Sequence, residues 1–374
     1  MPRCILSTVG TSVLTNAAPQ DLAKLLRETA NLREDELSAE QRSAIDHRVT
    51  EMQRRLEAAS IADRRRLSAE LNGLYALCGG HLQSHPPDSH FLLATDTYQG
   101  QATAGLIRDV LESERAGHVT LFTPSGLSTR SQSAFVGGIR EVIRWCDATL
   151  EPFRDARYRI TFNLVGSFKS LQGYLNTIGM FYADEIIYIF EDPAASLIRI
   201  PRLPIQLDLQ FFRAHRDLAA QLAENRTVPP EALVNWPETL WEEYAPGQAG
   251  LSTWGALIWE RGKQQLLDEN LLHLPRLVYE RSFIRDFEQH ANRRERVVLQ
   301  ECLARVSVML QDSGGDPAVL KRHGGLRYDN YSGANADLGH FRVNQNLCVS
   351  CRADKGQLHL LHFGGHDAVN DHPR

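Results

Sequence analysis

The sequence predicts an α/β protein with a parallel sheet in its N-terminal part, a helical middle, and a C-terminal α+β part built on an antiparallel sheet. Three observations carry that prediction. Over the first two hundred residues, short apolar runs alternate with stretches whose apolar residues recur at helical spacing. Strands separated by helices imply a parallel sheet covered on both faces. Residues 201–270 then read as helices interrupted at Pro229-Pro230. The last hundred residues end in strand-like runs that meet at the tight-turn sequence Asp354-Lys355-Gly356.

The elements follow in order. Residues 3–9 form an apolar run that closes in Ser7-Thr8-Val9-Gly10-Thr11-Ser12. Residues 33–72 are highly charged, contain no glycine, and space their apolar residues for one or two exposed helices inserted after the first strand. Residues 90–95, 119–123, 158–165 and 185–191 are four further strands, separated by helices near 102–114, 137–146 and 168–181. Ligands on such sheets sit at the carboxyl ends of the strands. Those ends carry Ser7, Thr8, Thr11, Thr95, Asp96, Thr97, Ser125, Gly166, Ser167 and Lys169. A proline-rich exit opens residues 201–270, a small helical module of winged-helix kind whose 251–267 helix has a capping Ser or Thr. In the last part, 276–280 is a strand, 282–310 one or two basic amphipathic helices, and 339–352 with 357–363 a β-meander.

At 374 residues the chain exceeds what one packed core usually holds, which gives domains over 1–200, 201–270 and 271–374. The absence of an apolar run of about 18 residues excludes a transmembrane helix. No signal peptide is recognisable at the start. Six cysteines make no disulfide framework, so a cytoplasmic protein without membrane contact is expected. The net charge of -5 argues against coating a duplex. The charge is uneven: residues 271–374 carry 14 Lys+Arg against 12 Asp+Glu, and the first 270 carry 27 against 34. The same C-terminal stretch holds 8 of the 14 histidines, so it is the better place to meet a polyanion.

Two motifs carry chemistry. In 163–175 a strand delivers Gly166-Ser167-Phe168-Lys169 into a helix, where backbone N–H groups and a lysine favour a phosphate. The stretch is neither GxGxxG nor a Walker loop, and a tight turn with a surface lysine is the plain alternative. In the C-terminal part, Lys321, Arg322, Arg342, Arg352, Lys355, His359, His362, His366 and His372 concentrate in a small sheet. Residues three apart on a strand face opposite ways, so His359 with His362, or Cys348 with Cys351, should not share a metal, and no metal site is expected. Metal-free RNA cleavage needs a base, an acid and cations for the phosphorane, and His, Lys and Arg supply them. Arg342 is the candidate phosphate clamp, and His366, oriented by Asp367, the candidate proton carrier. His372, Lys321, Arg322 and Arg352 are further catalytic candidates, and Tyr328 or Tyr331 could stack on a base. The plain alternatives are a core-facing His359 or His362, solvated Arg352 and Lys355, and a frayed tail at His372.

STVGTSVLTN after the first strand and GSFKSLQGYL after the fourth resemble the CRISPR-associated Rossmann-fold (CARF) sensor domains over residues 1–200. The resemblance implies a homodimer that binds cyclic oligoadenylate, above all the tetra-adenylate, through Thr8, Gly10, Thr11, Ser12, Thr97, Gly166, Ser167, Phe168 and Lys169. Residues 276–374 resemble the RelE family of mRNA interferases, which cut mRNA on the ribosome. Phe341-Arg342 matches that family's first-strand (Y)R. Phe363-Gly364-Gly365-His366 matches its VGxR with histidine for arginine, and His372 stands where a tyrosine often follows. Lys321 or Arg322 corresponds loosely to its pre-sheet lysines. Together the two imply a CARF–RelE fusion, a type III CRISPR effector that acts as a metal-independent ribonuclease without cofactor. Its allosteric activator would be cyclic oligoadenylate, and its partners the ribosome and mRNA. The competing reading is a ligand-controlled DNA-binding regulator using Arg261, Lys263, Gln264 and Gln265 of the 251–267 helix, although the neighbouring 231–245 stretch is acidic. A third reading has the sensor degrade its own ligand.

Overall fold

The computed structural model describes residues 1–127, 131–166, 169–189, 197–289 and 291–374, apart from the side chain of Gln132. The chain divides into two compact units, 1–206 and 207–374. Among the described residues no helix is long and apolar enough to cross a membrane.

Strands β1 (Arg3–Thr8), β2 (Asp88–Leu93), β3 (Gly117–Phe122), β4 (Arg159–Asn163), β5 (Glu185–Ile189) and β6 (Leu197–Pro201) form one sheet of order β3-β2-β1-β4-β5-β6. The first five are parallel and β6 runs antiparallel to β5. The apolar runs that predicted β1, β2 and β4 are buried strands, as a sheet covered on both faces requires. The sixth strand was not expected: it ends in Pro201, a residue tolerated only at an edge. Strand order reverses between β1 and β4. The crevice past Thr8 and Asn163 is therefore the topological switch point, where open α/β sheets take ligands.

The charged insertion differs from its expectation. It forms helices Ala39–Ala58 and Ile61–Leu67 and leads into Ala69–Leu77. Ile45, Met52, Leu56, Leu71 and Leu74 join the same core as Ile5 and Leu92. Two of its arginines are buried with their donors satisfied. Arg48 donates to the carbonyls of Leu14 (3.0 Å) and Asn16 (2.8 Å). Arg64 donates to Leu56 O (2.9 Å) and to the Tyr75 hydroxyl (3.2 Å), and pairs with Glu114. A charged sequence looks solvated, but a guanidinium can be buried once its planar fork is paired.

His90, in β2, is 1% exposed and donates from Nε2 to Ala116 O at 3.2 Å. Burial pushes its ring from the ordinary 6.5 down to about 4. The neutral ring is favoured in the fold, so its stabilisation is whole above about pH 6.5 and is lost as pH falls toward 4. Unfolding free energy should drop by a few kcal/mol across that window, and His90→Asn should flatten the slope in denaturant titrations. An unchanged slope in the variant would remove His90 as its source.

In the second unit, β7 (Trp241–Ala245) and β8 (Gln248–Leu251) form a hairpin. Strands β9 (Leu277–Tyr279), β10 (Asp329–Asn330), β11 (Gly339–Arg342), β12 (Leu347–Asp354) and β13 (Gln357–Gly365) form a sheet of order β10-β11-β12-β13-β9. It is antiparallel except for the β9–β13 pair. Lys355 and Gly356 turn β12 into β13 with φ of 46° and 75°, the left-handed pair that a two-residue hairpin turn needs. One hydrophobic core runs from Leu209 through Phe212, Trp259, Phe283 and Phe341 to Phe363, so residues 207–270 and 271–374 share their interior. Gln300, on helix Arg293–Asp312, stitches the two stretches. Its amide donates to Leu267 O (2.6 Å) and Asn270 O (3.2 Å) and accepts from the Leu272 N–H (2.7 Å).

A bulge in β13 corrects the parity argument about His359 and His362. Ser350 pairs with His362 and Cys351 with Leu360, so Leu361 is an extra residue. Its carbonyl accepts from Ser282 Oγ at 2.6 Å. Leu358, Leu360 and Phe363 face the core, which puts His359 and His362 together on the other face. Each takes its own carboxylate: His359 Nδ1 lies 2.9 Å from Glu280 Oε1 and His362 Nδ1 2.8 Å from Asp286 Oδ2.

Candidate functional site

The C-terminal site grows from β11. Gly339 and Phe341 are buried, so strand alternation turns His340 and Arg342 outward on one face. Arg342 Nη2 lies 3.4 Å from His366 Nε2. His366 opens the short helix His366–Asp371 directly after β13, and its N–H donates to Asn346 O at 3.0 Å. Asp367 Oδ1 is 3.3 Å from its Nδ1, and Asn370 Nδ2 is 3.2 Å from each ring nitrogen. Tyr331 donates its hydroxyl to Asn370 Oδ1 at 2.8 Å, and its ring stands 4.7 Å from that of His340. An open pocket of about 450 Å³ is lined by Arg342, Gln345, Asn346, Gly365, His366, Asp367 and Ala368. Burial pushes the His340 ring below its ordinary value, the His366 and Arg342 charges push the same way, and Asp329 opposes them. Burial also raises the Tyr331 phenol. A fixed guanidinium, two imidazoles and amide groups suit a phosphodiester, whose oxygens accept hydrogen bonds and whose cleavage moves protons.

Of the residues expected here, Arg342, His366 and Asp367 come together. Lys321 stands at the edge: it is exposed and 3.7 Å from Asp329, which pairs with His340 across β10–β11. Arg322 is exposed beside it. Arg352 lies elsewhere. It sits across from His359, five residues along β12 from Leu347, whose partner is Gly365, a spacing of about 17 Å. His372 is exposed and outside the pocket lining. The chain beyond it is anchored, since Arg374 donates to Asn335 Oδ1 (2.9 Å) and Asp337 Oδ1 (2.7 Å). Tyr328 is 7% exposed and packs in the core, so it has no face for a base. His340 was missed, although its two-residue spacing from Arg342 was a visible signal. Asn370 was missed because its role depends on the last helix folding back. Among the described residues, no three His, Cys, Asp or Glu side chains form a metal-holding group.

The DNA-reading alternative loses its best cation. Lys263 is 13% exposed and held by Glu260 (2.6 Å) and Glu301 (2.8 Å).

At the N-terminal switch point the expected residues divide. Thr8 is buried and donates its hydroxyl to Gly166 O. Thr97 is 1% exposed and caps helix Tyr98–Ser113, its oxygen accepting from the Gly100 N–H at 3.1 Å. These two hydroxyls serve the scaffold. Thr11 is half-buried, and Lys169 is exposed as the first residue of helix Lys169–Tyr182. Ser167 and Phe168 lie outside the described residues. Gly10, Ser12 and Gly166 do converge, around a side chain that no sequence motif pointed to. Glu70 accepts from the Gly10 N–H (2.8 Å), Ser12 Oγ (3.1 Å) and Ser68 Oγ (2.6 Å). A Cβ at Gly166 would stand 2.0 Å from Glu70 Oε1, so only glycine fits beside it.

No curated protein matches the chain. Residues 65–203, a stretch inside the first unit that holds Glu70, Thr97, Gly166 and Lys169, match the model of a family described as CRISPR-associated protein (Cas_APE2256), which supports a CRISPR association for this chain.

Proposed function

We propose that the protein is a ligand-gated ribonuclease of type III CRISPR defence, built as a CARF–RelE fusion. The N-terminal unit, as a homodimer, binds cyclic oligoadenylate, above all cyclic tetra-adenylate. The C-terminal unit then cuts mRNA on the ribosome. The observation that carries the cleavage reading is Arg342 held 3.4 Å from His366 over an open pocket. The family match over 65–203 and the convergence of Gly10, Ser12 and Gly166 at the switch point support the sensor reading.

In the proposed reaction the 2′-oxygen of one nucleotide bonds to the adjacent phosphorus and the bond to the 5′-oxygen breaks. One group takes the 2′-OH proton and another gives a proton to the departing 5′-oxygen. Arg342 stabilises the charge on the phosphorane. His366 moves one proton, and His340, which burial holds toward its neutral form, moves the other. The reaction needs no divalent metal. Its products are a 2′,3′-cyclic phosphate and a 5′-hydroxyl. End-group analysis of mRNA cut on ribosomes tests this chemistry. A 2′,3′-cyclic phosphate and a 5′-hydroxyl support it, whereas 5′-phosphate ends would overturn it.

A further inference from the structure

The switch-point crevice is already occupied by a charge of the protein's own. Glu70 is 0% exposed. Its carboxylate accepts from one backbone N–H and two hydroxyls, a donor set of the kind that cradles a phosphate oxygen. The donors come from the segment after β1 and from the cap of the helix that carries Glu70. Gly166, after β4, closes against the same oxygen. The carboxylate therefore sits between the ends of the two strands where the sheet order reverses. Its helix, Ala69–Leu77, presses on the end of β4 as well. Gly73 has room for no side chain against Asn163, whose amide donates to the Glu70 carbonyl at 3.2 Å.

We infer that Glu70 is a resident anion in the ligand seat, an autoinhibitory contact that an incoming phosphate must displace. The inference rests on the sensor reading above and adds its regulation. A phosphate entering beside a buried carboxylate meets a like charge at close range and finds its donors taken. Displacement frees the Gly10 N–H and Ser12 hydroxyl for the ligand and releases the N-terminus of Ala69–Leu77, so the insertion's helices feel the ligand. The seat then favours a polyanion able to outcompete a fixed carboxylate over a single free phosphate.

The test is calorimetric titration of the full-length protein with cyclic tetra-adenylate, beside Glu70→Gln and a surface control, Glu57→Gln. Glu70→Gln should bind at least about tenfold more tightly than wild type, with the control unchanged. Should Glu70→Gln melt below the assay temperature, Ser68→Ala applies. It leaves the carboxylate but removes one of its donors, and must tighten binding in the same direction. Unchanged or weaker binding by a folded variant, with wild type binding normally, overturns the inference and leaves the sensor reading standing. Binding by neither wild type nor Glu70→Gln overturns both.

Discussion

Replacing His366 with alanine is expected to lower mRNA cleavage by about two to four orders of magnitude, the usual cost of losing a proton-transfer group. The loss should appear in the rate of a single turnover rather than in RNA affinity, because phosphate binding stays with Arg342. Arg342→Lys is the companion variant. It keeps the charge but not the planar fork that donates to two oxygens at once, and should cost about a hundredfold. His340→Ala separates this site from a site with one imidazole: it should also slow cleavage and should shift the acidic limb of the pH–rate profile. His366 is partly exposed, with its side chain at 34%, so the variant should melt close to wild type. Cleavage by a folded His366→Ala protein within about threefold of wild type would place the chemistry elsewhere.

The largest expected stability effect is at Trp259. It is 2% exposed, edge-on to Phe212 at 5.8 Å, in the core shared by 207–270 and 271–374. Trp259→Ala should cost about 3–5 kcal/mol, the transfer term plus the cavity left behind. Because the core is shared, the loss should not stay in the helices around Trp259. Amide exchange in β12 and β13 should speed up by a comparable free energy. Protection of those strands at wild-type level, while 207–270 opens, would show two separately folding parts.

How much of this was legible in the sequence depends on the range of the interaction. Buried parallel strands announce themselves as apolar runs, and β1, β2 and β4 were found within two or three residues. Sequence pattern also placed Arg342 on a strand, His366 just past one, and the Lys355-Gly356 turn. Three features were not legible. The bulge at Leu361 inserts one residue and reverses facing, so a parity argument correct for a regular strand failed for His359 and His362. Leu197–Pro201 pairs along its whole length with β5 but has a proline end, and a sequence scan reads that as an exit. Glu70 meets Gly10 and Ser12 from about sixty residues away, inside a segment whose charge suggested solvent. Local periodicity reports neighbours in the chain, and the switch point is assembled from parts that are not neighbours.

The most direct test of the whole account is mRNA integrity in a reconstituted translation mixture, with and without cyclic tetra-adenylate. Wild type, His366→Ala and a ribosome-free control would run side by side. Cleavage is expected only when ligand, ribosomes and His366 are all present. Tight ligand binding with no cleavage of ribosome-bound mRNA, or equal cleavage by His366→Ala, would contradict it.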